Sequence, residues 1–335
     1  MLQPNGEGRG SWARATALLA LPGVLAVVAP HVGAALPEDS VASQGLAAVL
    51  CMAPAWCCAM WLPWAVLGGW RTGWWGPAAA CAVLAAATMG RPVATLPQDG
   101  PPPEDAVTVL VVNVNAFSDD PDPVRLGEEI AATGVDVAVV IEKRALEVPG
   151  MVRVADNFED DIPRISHGSA VFCREPAACP SAVTPEFGSE SQRMPITLTR
   201  LPGRGLCLLG AHAPPPVPLN PTGLRPHVEA VAGRIDDGAL LEDWGPCLAG
   251  DGVVLAGDLN AVPRSPVVAL LHAAGLRDAL DGAGVFGASW PAGGGWLDLP
   301  VFHLDHLLVG RAQVAEVRQV RVTATDHIGL AFTTW

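Results

Sequence analysis

Three short stretches near the end of this 335-residue chain carry side chains able to do chemistry together. Gly257-Asp258-Leu259-Asn260 closes an apolar run over 253–256. Leu304-Asp305-His306 and Thr325-Asp326-His327 follow, each beside a further apolar run. Carboxylates, a carboxamide and imidazoles at one place are the groups used in metal-assisted phosphoester hydrolysis. An anionic phosphoryl centre repels its nucleophile. A Mg2+ ion relieves this by neutralising phosphoryl oxygens and polarising water. Mg2+ keeps much of its hydration shell and takes one or two protein carboxylates, so a sparse set of oxygens is the expected signature. Mn2+, which takes similar oxygen ligands, is the alternative expectation.

These residues need a scaffold that brings distant stretches to one edge. Short apolar runs predict strands over 107–114, 136–142, 168–173, 194–200, 205–212, 252–257, 304–309, 317–323 and 328–334. Amphipathic runs predict helices over 122–133, 223–237 and 264–274. Many short strands with interspersed helices suit two packed sheets flanked by helices. Asp258 and Asn260 alternate on one strand face with Leu259 pointing away, so both reach one ligand; a plain turn is the other reading of Gly-Asp-x-Asn. Glu142 ends the apolar run 137–141, where a charge needs a partner. It reads either as a metal ligand or as a solvated carboxylate beside Lys143 and Arg144. Asn113 also ends an apolar run, as a site residue or a turn cap.

In this order the motifs resemble the endonuclease/exonuclease/phosphatase family. The opening strand ends in Asn113, and 136–142 resembles the strand ending in a metal-binding Glu. His167-Gly-Ser-Ala-Val-Phe-Cys-Arg174 resembles the family's Gly-x-Ala-x-x-x-Arg strand, and 210–212 the strand carrying a phosphate-contacting His. The resemblance covers 105–335. It implies a four-layer α/β/β/α sandwich with the site at the sheets' edges. It implies Glu142, Asn113 and Asp326 on the metal side. It also implies Asp258 activating water, Asn260 and His212 on the phosphate, and His327 on the phosphate with Asp305 behind its ring. A carboxylate behind an imidazole fixes its tautomer and raises its basicity.

Of the other histidines, His303 is expected near the site mouth and His306 in a structural role. His227 and His272 sit on predicted helices, His31 in the first apolar segment, and His167 has no account. Ser289-Trp290-Pro291 resembles the Thr-Trp-Pro of membrane-anchored members; Trp290 reads as a contact for an apolar part of the substrate or as a packed loop residue. Arg225 reads as a contact to a second phosphate or as a solvated helix arginine.

Composition divides the chain. Residues 1–97 hold 4 of the 20 Lys+Arg and 3 of the 34 Asp+Glu, so the remainder has 16 basic and 31 acidic residues and a formal charge of −15. Such a domain gains no general attraction to a polyanion, which weighs against nucleic acid without removing it. Of the eight cysteines, Cys51, Cys57, Cys58 and Cys81 lie in the apolar N-terminal part and Cys173, Cys179, Cys207 and Cys247 in the domain. No pair has zinc-ribbon spacing. Buried thiols and, in an exported domain, disulfides both remain open.

Residues 1–90 read as a membrane anchor with three transmembrane helices, over 15–36, 46–70 and 74–89. Seven of the eleven tryptophans fall in the first 75 residues, and Trp61, Trp64, Trp70, Trp74 and Trp75 crowd span ends as an interfacial belt would. Arg9 and Arg14 precede the first span, Glu38 and Asp39 follow it, and Arg71 separates the second and third. Positive-inside then leaves everything after residue 90 outside the cytoplasm. Cleavage near Gly33-Ala34-Ala35 is disfavoured by the length of the first apolar run. The Pro-rich 91–105 segment reads as a semi-extended linker, and 106–335 as the catalytic domain.

This layout resembles the membrane-anchored VanJ-like subgroup, associated with glycopeptide resistance. The implied activity is Mg2+-dependent hydrolysis of a phosphoester or phosphoanhydride outside the cytoplasm, with a lipid-linked pyrophosphate as the expected substrate. The alternatives are a membrane-tethered, Mg2+-dependent nuclease with the same residues and a non-catalytic binding or sensor module.

Overall fold

A computed structural model describes residues 91–114, 122–142, 146–156, 168–175, 181–183, 196–201, 205–213, 252–263, 265–292, 300, 302–323 and 325–335. The three expected spans, the helix expected over 223–237, Arg225 and His167 lie outside the described residues. Among the described residues no helix is long and apolar enough to cross a membrane.

In chain order the strands are β1 (Val107–Asn113), β2 (Val137–Ile141), β3 (Val152–Asp156), β4 (Ser169–Cys173), β5 (Ser181–Val183) and β6 (Ile196–Leu201). Then come β7 (Leu206–His212), β8 (Gly252–Asp258), β9 (Arg277–Asp278), β10 (Asp305–Gly310), β11 (Val314–Val320) and β12 (Gly329–Thr334). They form two six-stranded sheets, β11-β12-β1-β2-β4-β3 and β5-β6-β7-β8-β10-β9. Each is antiparallel apart from one central parallel pair, β1 with β2 and β7 with β8.

The central strands read as unbroken apolar runs because both faces of each sheet are covered. Val109, Val111, Val137, Val139 and Ile141 meet Leu206, Leu208, Val254, Ala256 and Leu307 in the core between the sheets. On the outer face of the first sheet, Leu110, Val112, Ala138 and Val140 pack on Leu126 and Ile130 of helix α1 (Pro123–Ala132). On the outer face of the second, Leu209, Val253, Leu255 and Leu308 pack on Val268 and Leu271 of helix α2 (Pro266–Ala273). Three apolar interfaces make four layers, as expected. Both helices start where the sequence supplies a cap and a proline. Asp122 accepts from the Val124 and Arg125 N–H groups before Pro123, and Ser265 accepts from Val268 N–H before Pro266.

The differences from expectation have local causes. The strand expected over 317–323 runs from Val314 to Val320, because a bulge between Ala315 and Arg318 puts both Val314 and Val317 on the inner face and breaks the period. Strand β3 is an edge strand with no buried residue, and β9 has two residues, too few to show a period. The 91–105 segment is not a free spacer at its start. Val93 and Leu96 enter the inter-sheet core, and Asp99 binds Arg277 and accepts from Val314 N–H at 2.9 Å.

Cys173 and Cys207 are each disulfide-bonded. Cys173 lies in the inter-sheet core and Cys207 on the outer face of the second sheet. A bond between them would have to pass through that sheet, so they belong to two different disulfides. Every other cysteine lies outside the described residues. The buried-thiol reading therefore fails at both positions.

Candidate active site

The parallel register of β7 and β8 sets His212 beside Asp258, and the antiparallel register of β8 and β10 sets Asp305 opposite Asp258. The three residues thus form one row at the edge of the second sheet. All three continue the inner-facing alternation that places Leu208, Ala256 and Leu307 in the inter-sheet core. The first sheet brings Asn113 and Glu142 to the same edge from β1 and β2. Gly257 lets the row form: it has φ +148°, and a Cβ there would lie 1.9 Å from the Ala211 carbonyl oxygen.

Side-chain contacts join the two sheets. Asn113 Nδ2–H donates to Asp258 Oδ2 at 3.0 Å. His212 Nε2 lies 3.0 Å from Glu142 Oε1. His327, from the loop before β12, sets Nδ1 at 2.8 Å from Asp305 Oδ2 and Nε2 at 3.7 Å from Asp258 Oδ2. The first distance is a hydrogen bond; the second is electrostatic proximity. Two of the four non-glycine residues with positive φ among the described residues stand here, Glu142 at 66° and Asn260 at 48°. Asn tolerates this region, but Glu does so at a cost of roughly 1–3 kcal/mol, a kind of strain that concentrates at functional sites.

The electrostatics follow from burial and like charge. Burial, and then the Asp305 charge, push the Asp258 carboxyl up to about 6, against the opposing pull of His327, His212 and the Asn260 N–H. Burial alone would lower His327; the charge and hydrogen bond of Asp305, with Asp258 and Asp326 beyond, raise it to about 10. At neutral pH the site therefore holds an imidazolium between two carboxylates, one of which titrates just below neutrality.

The remaining expected residues divide. Leu259 does point away, into the outer cluster. Asn260 is not a simple strand-end alternation, because its N–H donates to Asp258 Oδ1 at 2.8 Å in an Asx turn and its Nδ2–H donates to the Ala213 carbonyl at 2.7 Å. The turn and site readings of this motif thus coexist. Asp326 Oδ2 accepts from Trp290 Nε1–H at 2.8 Å, and the Trp290 ring packs on Phe302 with centroids 5.8 Å apart. Trp290 is thus a half-buried residue that holds Asp326, as the packed-loop reading expects, and its ring centroid lies 6.5 Å from that of His327, beside the site. His303 is 3% exposed and stacked on His306, which corrects its placement at the site mouth.

Two positioning residues escaped sequence reasoning. Thr325 Oγ1–H donates to the Asn113 carbonyl at 2.6 Å and the same oxygen accepts the His327 N–H at 3.1 Å, tying the last loop to β1. Ser289 Oγ accepts from the N–H groups of Leu304 and Asp305. Their signal was adjacency alone: Thr325 opens the triplet that holds His327, and Ser289 precedes Trp290.

The sequence pattern described as the Endonuclease/Exonuclease/phosphatase family matches residues 110–327, a span that holds every described site residue above. No curated protein is similar enough in sequence to count as a match. Among solved structures, an endonuclease/exonuclease/phosphatase from Beutenbergia cavernae is similar at 18% identity and a TM-score of 0.46, over 68% of this chain and 71% of that one. The human Nocturnin catalytic domain with bound sulfate is similar at 17% identity and 0.46, over 69% and 94%. The Bacteroides thetaiotaomicron mannosyl-6-phosphatase Bt3783 is similar at 13% identity and 0.46, over 68% and 99%.

Proposed function

This chain belongs to the endonuclease/exonuclease/phosphatase family, and from that premise we propose that it is a membrane-anchored, metal-dependent phosphohydrolase. It works outside the cytoplasm on a lipid-linked pyrophosphate or a similar phosphoester. The observation that carries the catalytic part is the buried chain Asp305–His327–Asp258–Asn113, with the Glu142–His212 pair beside it.

The donor set fits Mg2+. Glu142 is the least buried side chain of that group, at 12% exposure, and stands at the sheet edge next to a carboxamide, so carboxylate, amide oxygen and water supply the sparse oxygen shell this ion takes. Glu142 and Asn113 would hold it, with Asp326 as the further carboxylate. When bound, the ion neutralises phosphoryl oxygens and polarises water. Asp258, held by the Asn113 amide and titrating near 6, accepts a proton from the attacking water. His327, charged at neutral pH, donates from Nε2 to a phosphoryl oxygen. Asp305 fixes its ring through Nδ1.

The lipid-linked substrate and the location rest on other observations. Three apolar segments precede the domain, in the layout of the VanJ-like subgroup. A domain of formal charge −15 has no general attraction to a polyanion. Disulfides at Cys173 and Cys207 suit an oxidising compartment. The deciding test uses purified full-length protein with Mg2+ and a panel of prenyl pyrophosphates, nucleotides and DNA. Inorganic phosphate released fastest from a prenyl pyrophosphate is the expected result. DNA cleavage with no phosphate from any prenyl pyrophosphate would replace this reading with a tethered nuclease.

A further inference from the structure

A second cluster lies behind the site, on the opposite face of the same sheet. Strand β10 alternates Asp305 inward and His306 outward. Asp278 of β9 stands opposite Leu308, an outer-face residue, so Asp278 and His306 are diagonal neighbours on the outer face. His303 stacks on His306 with centroids 4.9 Å apart and an interplanar angle of 17°. One ligating atom from each of Asp278, His303 and His306 lies within 4.8 Å of the others.

Two of those side chains are in an unusual state. His303 and His306 are 3% and 0% exposed, and His303 Nε2 and His306 Nδ1 are buried without a hydrogen-bond partner. His306 Nε2 lies 2.7 Å from the Ala261 carbonyl oxygen, which can only accept, so Nε2 carries a hydrogen and Nδ1 is the ring nitrogen left to meet a ligand. Burial holds His303 well below the usual histidine range, which keeps its ring neutral. Asp278 Oδ1 accepts from Leu280 N–H at 2.8 Å, and its half-buried carboxylate has an oxygen within 4.8 Å of a nitrogen of each ring. Leaving two buried ring nitrogens without a partner is costly. One water can donate to only two of the three groups, whereas a cation satisfies all three.

We infer that Asp278, His303 and His306 form a metal site separate from the catalytic edge, built for one borderline divalent transition ion of the zinc class. Two imidazole nitrogens and one carboxylate oxygen are a donor set for Zn2+ rather than for Mg2+. Ligands on one zinc at about 2.1 Å lie at most about 4 Å apart, so small side-chain rotations close the site. The ion would bind β9, the 302–304 segment and β10 together directly behind Asp305, and through Ala261 it would brace the turn that follows Asp258. Its role is to hold the catalytic strand ends in place.

The test uses the full-length protein, stripped with chelator and refilled with Zn2+ in excess Mg2+. Bound zinc is counted by elemental analysis after gel filtration, and Co2+ is then substituted to read its visible d–d absorption. His303→Phe keeps the stacked ring and removes the ligand. His306→Gln keeps a donor for Ala261 and removes Nδ1. Wild type should retain one zinc and show the cobalt bands. Both histidine variants should bind at least tenfold more weakly, and Glu142→Gln should bind as wild type does. Wild type without zinc, variants that retain it, or loss confined to Glu142→Gln would overturn the inference. Should the variants misfold, anomalous diffraction at the zinc edge on wild-type crystals decides it. A peak between the three side chains supports the site, and a water there refutes it.

Discussion

Asp258 and Asp305 stand directly opposite each other across the β8–β10 pair, both almost wholly buried, and the His327 ring reaches both of them. Two like charges in register repel. The imidazolium between them makes the arrangement tolerable and leaves Asp258, the one with the weaker contact to it, as the carboxylate that titrates near 6.

If Asp305 acts through His327, removing either should cut turnover by roughly two orders of magnitude or more. The double variant should lose little more than the worse single one, because catalytic partners are strongly non-additive. Steady-state rates of Asp305→Asn, His327→Gln and the pair check this, with thermal melts to confirm folding. Fully additive losses in folded proteins would separate the two residues.

The same pair gives a pH dependence of stability in chelator. His327 is raised to about 10 in the folded protein from an ordinary value near 6.5, so its contribution is complete below about 6.5 and is lost as pH rises through 10. Asp258 acts the other way: raised to about 6 from 3.8, it costs stability as pH rises across that interval. Melting temperatures of wild type and His327→Gln should therefore differ most between about pH 6 and 7 and converge toward pH 10. A constant gap would show that His327 is not held protonated.

Glu142→Gln keeps shape and removes the charge that attracts the ion. Activity should fall by roughly 100-fold or more, while the melting temperature in chelator moves little. Near wild-type turnover across a Mg2+ titration would remove Glu142 from the metal side.

Since Cys173 and Cys207 lie in different disulfides, at least four of the eight cysteines are bonded. Alkylation of the unfolded, unreduced protein should label at most four thiols, and reduction should release the rest. Labelling of more than four would contradict the two-bond arrangement. Reduction should lower stability by about 2–5 kcal/mol for each bond broken.

For topology, a tag after Trp335 should be stained by antibody on intact spheroplasts. Staining only after permeabilisation would place the domain in the cytoplasm. Protease at the start of the 91–105 segment is a poorer probe, because Val93 and Leu96 are buried in the core. Leu96→Asp should instead destabilise the domain by about 2–5 kcal/mol, read by denaturant melts.

What the sequence determined by itself was the central scaffold and the identity of the reactive groups. Short apolar runs such as 107–113 and 252–258, bounded by turn-forming residues, suit strands buried on both faces, and such strands deliver the polar residues that end them to a sheet edge. Asp258 and Asn113 were therefore legible as candidates from the pattern, whereas His212 came only from the resemblance of 210–212 to a family strand. Pairing was not. That Asp305 faces Asp258 depends on β10 joining β8 antiparallel in one register, and a shift of one residue would have turned His306 inward in its place. The same parity hid the Asp278–His303–His306 cluster, because Asp278 lies on a two-residue strand with no period of its own. The docking of Val93 and Leu96, the hold of Trp290 on Asp326 and the bracing by Thr325 depend on contacts between segments far apart in the chain. Local pattern carries no record of such contacts, and only the packed tertiary structure decides them.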